Sequence, residues 1–413
     1  MSLWPHATNK GRCTVLYVLK FDDFSRDMKR KLRMGMVGGG LDAFIGAVHR
    51  RAASLDGSIE LVCGAFSSSP EKSKAAGEVL GLHPHRVYGT FTEMLRKEKN
   101  LPGDLRMDFV SIVTPNHVHF APAKLALETG FHVVLDKPMT LNFAEAVKLQ
   151  DVVRRTKRLL ALTHTYTGYP MVKEAKSLVA SGNLGTIRKV YVEYTQGWLS
   201  TPMEKLGNKQ AGWRTDPKRS GSGGAVGDIG THAANLAEYI TGLRISSVCS
   251  HLNKVVKGRI LDDDAAMFLT FDNKSSGVLV CSQVAVGEEN NLTIRIYGDR
   301  GGLEWRQEEP NTLILKWPDR PREIYRTGFD YLSATAKANT RLPSGHPEGY
   351  LEAFANIYAN FAAAVREFKP GKVDAGKLYD YPSIDDGVRG MAFIEAAVKS
   401  SRSKQKWVPI RKA

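Results

Sequence analysis

Apolar residues follow two different patterns along the chain, and the change comes near residue 185. Before it, unbroken apolar runs occur at 32–37, 59–66, 107–113, 131–135 and 159–162. Short runs without alternation are what strands covered on both faces require. Between them lie stretches of helical period at 44–52, 91–98, 121–129, 144–154 and 171–180, and another helix begins near Pro70. Gly130 and Gly182 close two of these helices. Strand and helix in regular alternation predict a parallel, doubly wound sheet with right-handed crossovers.

Beyond residue 185 apolar and polar positions alternate, at 187–194, 246–256, 265–271, 277–286, 292–297, 303–305 and 313–317. Turns such as Asp272-Asn273-Lys274 join them. This predicts a large, mostly antiparallel sheet. Helices expected at 233–240, 348–368 and 384–400 would cover one face and leave the other open, and 407–410 reads as a closing strand. The expected fold class is α/β followed by α+β. The expected domains are an extension at 1–30, a doubly wound domain at 31–158, and a substrate-binding and oligomerisation domain at 159–413. Open sheet faces pair with copies of themselves, so a homodimer or homotetramer is expected.

Composition narrows the class. The 413 residues suffice for two domains. No apolar run reaches the roughly 18 residues of a membrane helix, so no membrane partner is expected. Cys13, Cys63, Cys249 and Cys281 are scattered without a CxxC pair. That argues against a metal centre or disulfide framework and fits a reducing, cytoplasmic setting. The net charge of +15 raises the question of nucleic acid. Much of the excess sits at the ends: residues 1–33 hold eight Lys/Arg against three Asp, and the last fifteen hold six with no acid. No nucleic-acid motif accompanies them, so none is expected as a partner. A positive field suits an anionic cofactor or substrate. Residues 1–30 include a short apolar stretch at 13–19, without the basic start or cleavage site of a secretory signal. They read as a poorly ordered, non-essential tail.

Candidate chemistry gathers at strand ends. Asp136-Lys137-Pro138 directly follows the run 131–135. A charged pair at the end of a buried strand needs a use, and proline then stops the ladder. In open α/β sheets that edge is where ligands bind. The first strand ends in Gly38-Gly39-Gly40-Leu41-Asp42-Ala43, with a helix from Phe44. This matches GxGxxG/A: Gly38 permits the tight turn, Gly40 admits a pyrophosphate, and Ala43 lets helix pack on strand. The pattern predicts a Rossmann domain that binds NAD(P), with phosphate at the helix start. The second strand ends in Ser67-Ser68-Ser69 without the acid that usually holds the ribose. Ser67 and Lys72 suit a 2′-phosphate instead, which favours NADP. Asp228 and His232, four residues apart at a helix start, project from one face. A histidine there is disfavoured as a cation, as a neutral base requires.

These segments resemble the Gfo/Idh/MocA oxidoreductase family, over roughly residues 31–410. The resemblance rests on GGGLDA, on TPNHVH after the third strand, on LDKP where the family usually has Glu-Lys-Pro, and on GGAVGDIGTH. It implies that Thr114, Pro115, Asn116, His119 and Asp136 contact the cofactor, with Trp213 and Arg214 near its nicotinamide–pyrophosphate end. It implies that Lys137 polarises the reacting oxygen, that His232 takes the hydroxyl proton, and that Asp228 orients it or binds a neighbouring hydroxyl. An Arg common in the family near Tyr166 is absent, so His164, Tyr166 and Tyr169 become candidate substrate groups. The expected reaction is hydride transfer between a nicotinamide and a hydroxyl-bearing carbon of a sugar, cyclitol or related polyol. The alternatives are a glycosidase that oxidises its sugar transiently with bound NAD, and a non-catalytic nucleotide-binding regulator.

Overall fold

The early apolar runs assemble as one parallel sheet. Its strands are β1 (Leu32–Gly38), β2 (Ile59–Ala65), β3 (Phe109–Val113), β4 (His132–Leu135) and β5 (Leu160–Leu162). They lie in the order β2-β1-β3-β4-β5, and every pairing is parallel. Every residue of β3 and β4 is buried, which accounts for the missing alternation. The order reverses between β1 and β3, so Gly38 and Thr114 flank the switch point where such sheets open a crevice. Ser69, Thr90 and Asn142 cap the helices Pro70–Val79, Phe91–Lys99 and Phe143–Thr156 by accepting backbone N–H bonds.

This computed structural model describes residues 30–369 and 379–411. The expected extension at 1–30 lies outside them, apart from Arg30. The second sheet comprises β6 (Ile187–Thr195), β7 (Ile245–Asn253), β8 (Asp264–Phe271), β9 (Ser276–Ser282), β10 (Asn291–Gly298), β11 (Gly302–Arg306), β12 (Thr312–Lys316), β13 (Glu323–Arg326) and β14 (Trp407–Pro409). Their order is β13-β12-β11-β10-β6-β9-β8-β7-β14. All neighbours are antiparallel except β6 and β9. β13 was not expected. It is an edge strand of four residues, none of them buried, so it carries little apolar signal.

Two late helices return to the early part of the chain. Tyr350–Glu367 packs on the first helix, Phe44–Ser54. There the Tyr358 hydroxyl meets His49 Nδ1 at 2.7 Å and Ser111 Oγ at 2.8 Å. Phe361 lies edge-on to Phe109, with ring centroids 5.4 Å apart. Ile384–Arg402 packs on β7 and on Phe143–Thr156. The residues from Leu32 onward therefore cohere as one unit that holds both sheets. Phe361 is fully buried. Phe361→Ala is expected to cost about 3–5 kcal/mol of stability, read as a lower urea midpoint with unchanged slope.

Candidate active site

The glycine turn is shaped by what glycine lacks. Gly38 has φ +80°, and a Cβ there would come within 2.8 Å of Thr114 Cγ2. A Cβ on Gly40 would sit 3.0 Å from the Phe66 carbonyl oxygen. Helix and turn approach most closely at Gly46, where an added Cβ would lie 2.3 Å from Gly39 Cα. Gly46, three residues later than expected, is thus the small residue that admits the helix. Ala43 is the extended residue preceding Phe44–Ser54. Beside the turn, Thr114 Oγ1 is buried without a hydrogen-bond partner.

Lys137 reaches from the first sheet to a helix start between β6 and β7. Its Nζ donates to Asp228 Oδ1 at 2.7 Å and to the Asp228 carbonyl oxygen at 2.8 Å. Asp228 Oδ2 accepts from Arg214 Nε at 3.1 Å and from Gln283 Nε2 at 2.9 Å. Burial alone would raise the Asp228 pKa. Lys137 and Arg214 reverse that and hold it well below the usual carboxylate range. Asp228 belongs to a single π-helical turn, Val226–Gly230, which feeds the helix Thr231–Thr241. The regular helix start expected there is therefore a widened turn, a feature common at functional sites. Asp262 clamps it by accepting the N–H groups of Gly224 at 2.7 Å and Val226 at 2.8 Å.

His232 faces His164, Nδ1 to Nδ1, at 3.4 Å. Burial, then Lys137 and His164, push the His232 pKa well below its ordinary value. Burial and Lys137 push His164 down to about 3. Both rings are neutral at pH 7, so one Nδ1–H donates to the other lone pair. With Nδ1 engaged, Nε2 is the His232 nitrogen left for the cavity. The Tyr166 ring stands edge-on to His232, with centroids 4.9 Å apart.

One cavity of about 1230 Å³ joins these parts. It exceeds the roughly 300–1,000 Å³ of common single-ligand pockets and has room for a dinucleotide and a small substrate. Gly38, Gly40, Ala43, Phe44, Ser67, Lys72, Thr114, Pro115, Asn116 and Asp136 line one part. Lys137, Asp228, His232, Tyr166, Trp213 and Arg214 line it too. His119, His164 and Tyr169 do not. His119 is buried behind the wall, with its ring nitrogens 2.9 Å from the Pro138 carbonyl and 2.7 Å from that of Thr114. His164 backs His232, and the Tyr169 hydroxyl accepts from Gln307 at 3.4 Å. The Asp136 carboxylate takes the Thr163 hydroxyl and the Lys137 N–H, each at 2.8 Å.

Known proteins share this fold. A family model described as the oxidoreductase family with an NAD-binding Rossmann fold matches residues 32–164, and the GFO/IDH/MocA C-terminal domain matches 172–304. An uncharacterized oxidoreductase, YfiI, of Bacillus subtilis (strain 168) is 30% identical over 390 residues, 94% of this chain and 98% of its own. The chain belongs to the Gfo/Idh/MocA oxidoreductase family. Among solved structures, an inositol dehydrogenase homolog of Azotobacter vinelandii, complexed with NAD+, aligns with TM-score 0.88 and 34% identity, over 92% of this chain and 97% of that one. The homolog has also been solved with NADH and myo-inositol. An oxidoreductase from Sinorhizobium meliloti aligns with TM-score 0.82 and 44% identity, over 92% of this chain and 100% of that one.

The Gfo/Idh/MocA chain is thus an NAD-binding oxidoreductase, and its own turn fits a dinucleotide. Glycine at 38 and 40 lets the turn close tightly on Thr114 and Phe66, and all four residues line the cavity where a dinucleotide would lie. The segment after β6 reaches back towards this turn. Lys209 lies 3.9 Å from Asp42, and Asn116 Nδ2 donates to the Ser220 carbonyl at 2.9 Å. The sequence reading missed Tyr194, Gln196, Trp198, Asn290, Gln307 and Tyr350, all in the cavity wall. Most come from strand ends and links whose neighbours are known only once the second sheet is paired. Tyr194 alone carried a signal, as a polar-tipped aromatic at the end of an alternating run.

Five buried histidines, His49, His119, His132, His164 and His232, have pKa values lowered chiefly by burial. The unfolded chain therefore binds more protons below pH 6.5, and stability falls as pH falls. Urea titrations between pH 6.5 and 5 should give a loss of up to about 1.4 kcal/mol per pH unit per histidine. A flat profile over that window would contradict neutral burial.

Proposed function

We propose that the protein transfers a hydride between a nicotinamide cofactor and a hydroxyl-bearing carbon of a sugar, cyclitol or related polyol. In this reading residues 31–158 hold the cofactor, and 159–413 supply the substrate contacts and self-association. The observation that carries it is the convergence of Lys137, Asp228 and His232 on the cavity that begins at the glycine turn. The name of the Azotobacter homolog, solved with NADH and myo-inositol, supports the polyol class.

The bound cofactor supplies the hydride chemistry. Gly38, Gly40, Phe44, Thr114, Pro115 and Asn116 hold it, with Asp136 and Trp213 nearby. Lys137, fixed by two bonds to Asp228, keeps a third N–H for the reacting oxygen. His232 removes the hydroxyl proton through Nε2 during oxidation and returns it during reduction. That role requires the proton of neutral His232 on Nδ1, donated to His164. His164 is then a positioning residue that sets the tautomer. Asp228 anchors Lys137 and balances the positive charge that arises on His232. Ser67 and Lys72 at the end of β2 favour NADP, whereas the Azotobacter homolog carries NAD+ and NADH. A cytoplasmic setting is part of the proposal, supported by unpaired Cys63, Cys249 and Cys281. Among the described residues no helix is long and apolar enough to cross a membrane. The outward face of the second sheet, where Phe268 is exposed, supports a homodimer or homotetramer.

Steady-state kinetics with a polyol panel test the mechanism. His232→Gln should lower kcat by roughly 10²–10⁴-fold while leaving cofactor affinity intact. His164→Phe should lower kcat with little change in KM and shift the pH–rate profile. A His232→Gln enzyme with full activity would refute the proton role. Thermal shift with each cofactor decides the second point. NADP should stabilise more than NAD, and Lys72→Ala should erase the difference.

A further inference from the structure

After β6 the chain leaves the second sheet and returns to the edge of the first. Two short helices, Lys209–Arg214 and Pro217–Ser220, make up this strap. It is tied on both sides of the switch point between β1 and β3. At one end Lys209 Nζ lies 3.9 Å from Asp42 Oδ2, in the turn that follows β1. At the other, Asn116 Nδ2, just beyond β3, donates to the Ser220 carbonyl at 2.9 Å. Gly221 comes next with φ +101°, and a Cβ there would lie 2.8 Å from the Leu141 carbonyl oxygen. The end of the strap is thus pressed against the chain that follows β4. A ligand lying between the glycine turn and Asn116 lies beneath the strap.

Among the described residues five lysine and arginine side chains line the cavity: Lys72, Lys137, Lys209, Arg214 and Arg219. Lys137 and Arg214 are bound to Asp228, and Lys209 lies beside Asp42. The third carboxylate of the wall, Asp136, takes the Thr163 hydroxyl and the Lys137 N–H. Lys72 and Arg219 have no carboxylate partner among the described residues. Arg219 is also partly buried. A guanidinium drawn partly out of water gains most from an anion that can meet its planar fork with two oxygens, as a phosphate does. The wall holds no further carboxylate for it, so the anion has to arrive with a ligand. A dinucleotide places its diphosphate at the glycine turn and the helix start behind it, and its adenosine ribose at the end of the second strand. Lys72 stands by that second strand end, whereas Arg219 stands on the strap beside Asn116. The two unpaired cations therefore serve different parts of the same ligand.

We propose that Arg219 binds the diphosphate of the nicotinamide cofactor, so that the dinucleotide is held by the glycine turn on one side and by the strap on the other. The inference rests on the oxidoreductase reading and adds to it a phosphate ligand from outside residues 31–158.

The test uses the full chain and follows the binding of NADH and NADPH by nicotinamide fluorescence. Arg219→Gln should raise Kd for both cofactors by a similar factor, about 10- to 100-fold. Lys72→Ala should raise it for NADPH alone. Arg219→Lys should fall between Arg219→Gln and the unaltered protein, because it keeps the charge and loses the fork. Added KCl should weaken cofactor binding less in Arg219→Gln than in the unaltered protein. Without cofactor the variant should melt with the unaltered protein. An unchanged Kd for both cofactors in Arg219→Gln overturns the inference. A loss confined to NADPH does so too, since it assigns Arg219 to the 2′-phosphate. An early melt without cofactor assigns it to the fold, and a raised KM for a phosphorylated sugar with unmoved cofactor Kd assigns it to substrate; either overturns the inference. All of these leave the oxidoreductase reading standing. An unaltered protein that bound neither cofactor would count against that reading itself.

Discussion

The bond from Lys137 to Asp228 is the constraint on which the site depends. It joins the carboxyl edge of the parallel sheet to a helix start 91 residues later in the chain. Both side chains are largely removed from water. A buried ion pair is a poor source of stability, because desolvation offsets most of its attraction. Removing one partner, however, strands the other charge. That asymmetry makes the pair suited to fixing geometry: the two halves of the cavity cannot separate without exposing or orphaning a charge. Arg214 and Gln283 complete the carboxylate, so its position is set from three directions.

Backbone features then hold the pair in place. Asp262 fills the start of the π-helical turn and fixes two of its N–H groups. Gly224 lies so close to this residue that a Cβ would come 2.0 Å from the Asp262 carbonyl oxygen. On the other side His119 bridges two strand-end carbonyls, and Thr163 holds Asp136. None of these four groups touches the proposed reacting atoms. Each restricts a segment that does, and preorganisation of this kind is what positions catalytic groups.

Much of this was legible in the sequence because the relevant signals are local. A buried strand ending in Asp-Lys-Pro, a glycine-dense turn and an Asp–His spacing of four each announce a position without reference to the rest of the fold. The order of strand types was equally legible, since burial on two faces and on one leave different apolar periods. What stayed hidden depends on distance or direction. Gly46 rather than Ala43 meets the turn because the loop after Gly40 is long, which no three-residue motif records. His119, His164 and Tyr169 were read as cavity groups from their neighbours in sequence, yet their side chains turn to the far side of the wall. Asn290 and Gln307 come together only through the register of β10 and β11, and β13 is too short and too exposed to stand out.

The same electrostatics explains why a lysine and a histidine can share so small a space. Two cations there would repel, and burial already disfavours the second. Lys137 is bound to the Asp228 carboxylate, and burial first, then the nearby ammonium, lower the His232 pKa. A neutral His232 is the form able to take a proton. In the proposed mechanism that proton lies near the Lys137 ammonium and returns readily to an oxygen anion. Asp228 keeps that protonated state from being prohibitively unfavourable, since its charge raises the His232 pKa against the other influences. In the proposed mechanism, reversibility rests on the balance of one carboxylate against one ammonium.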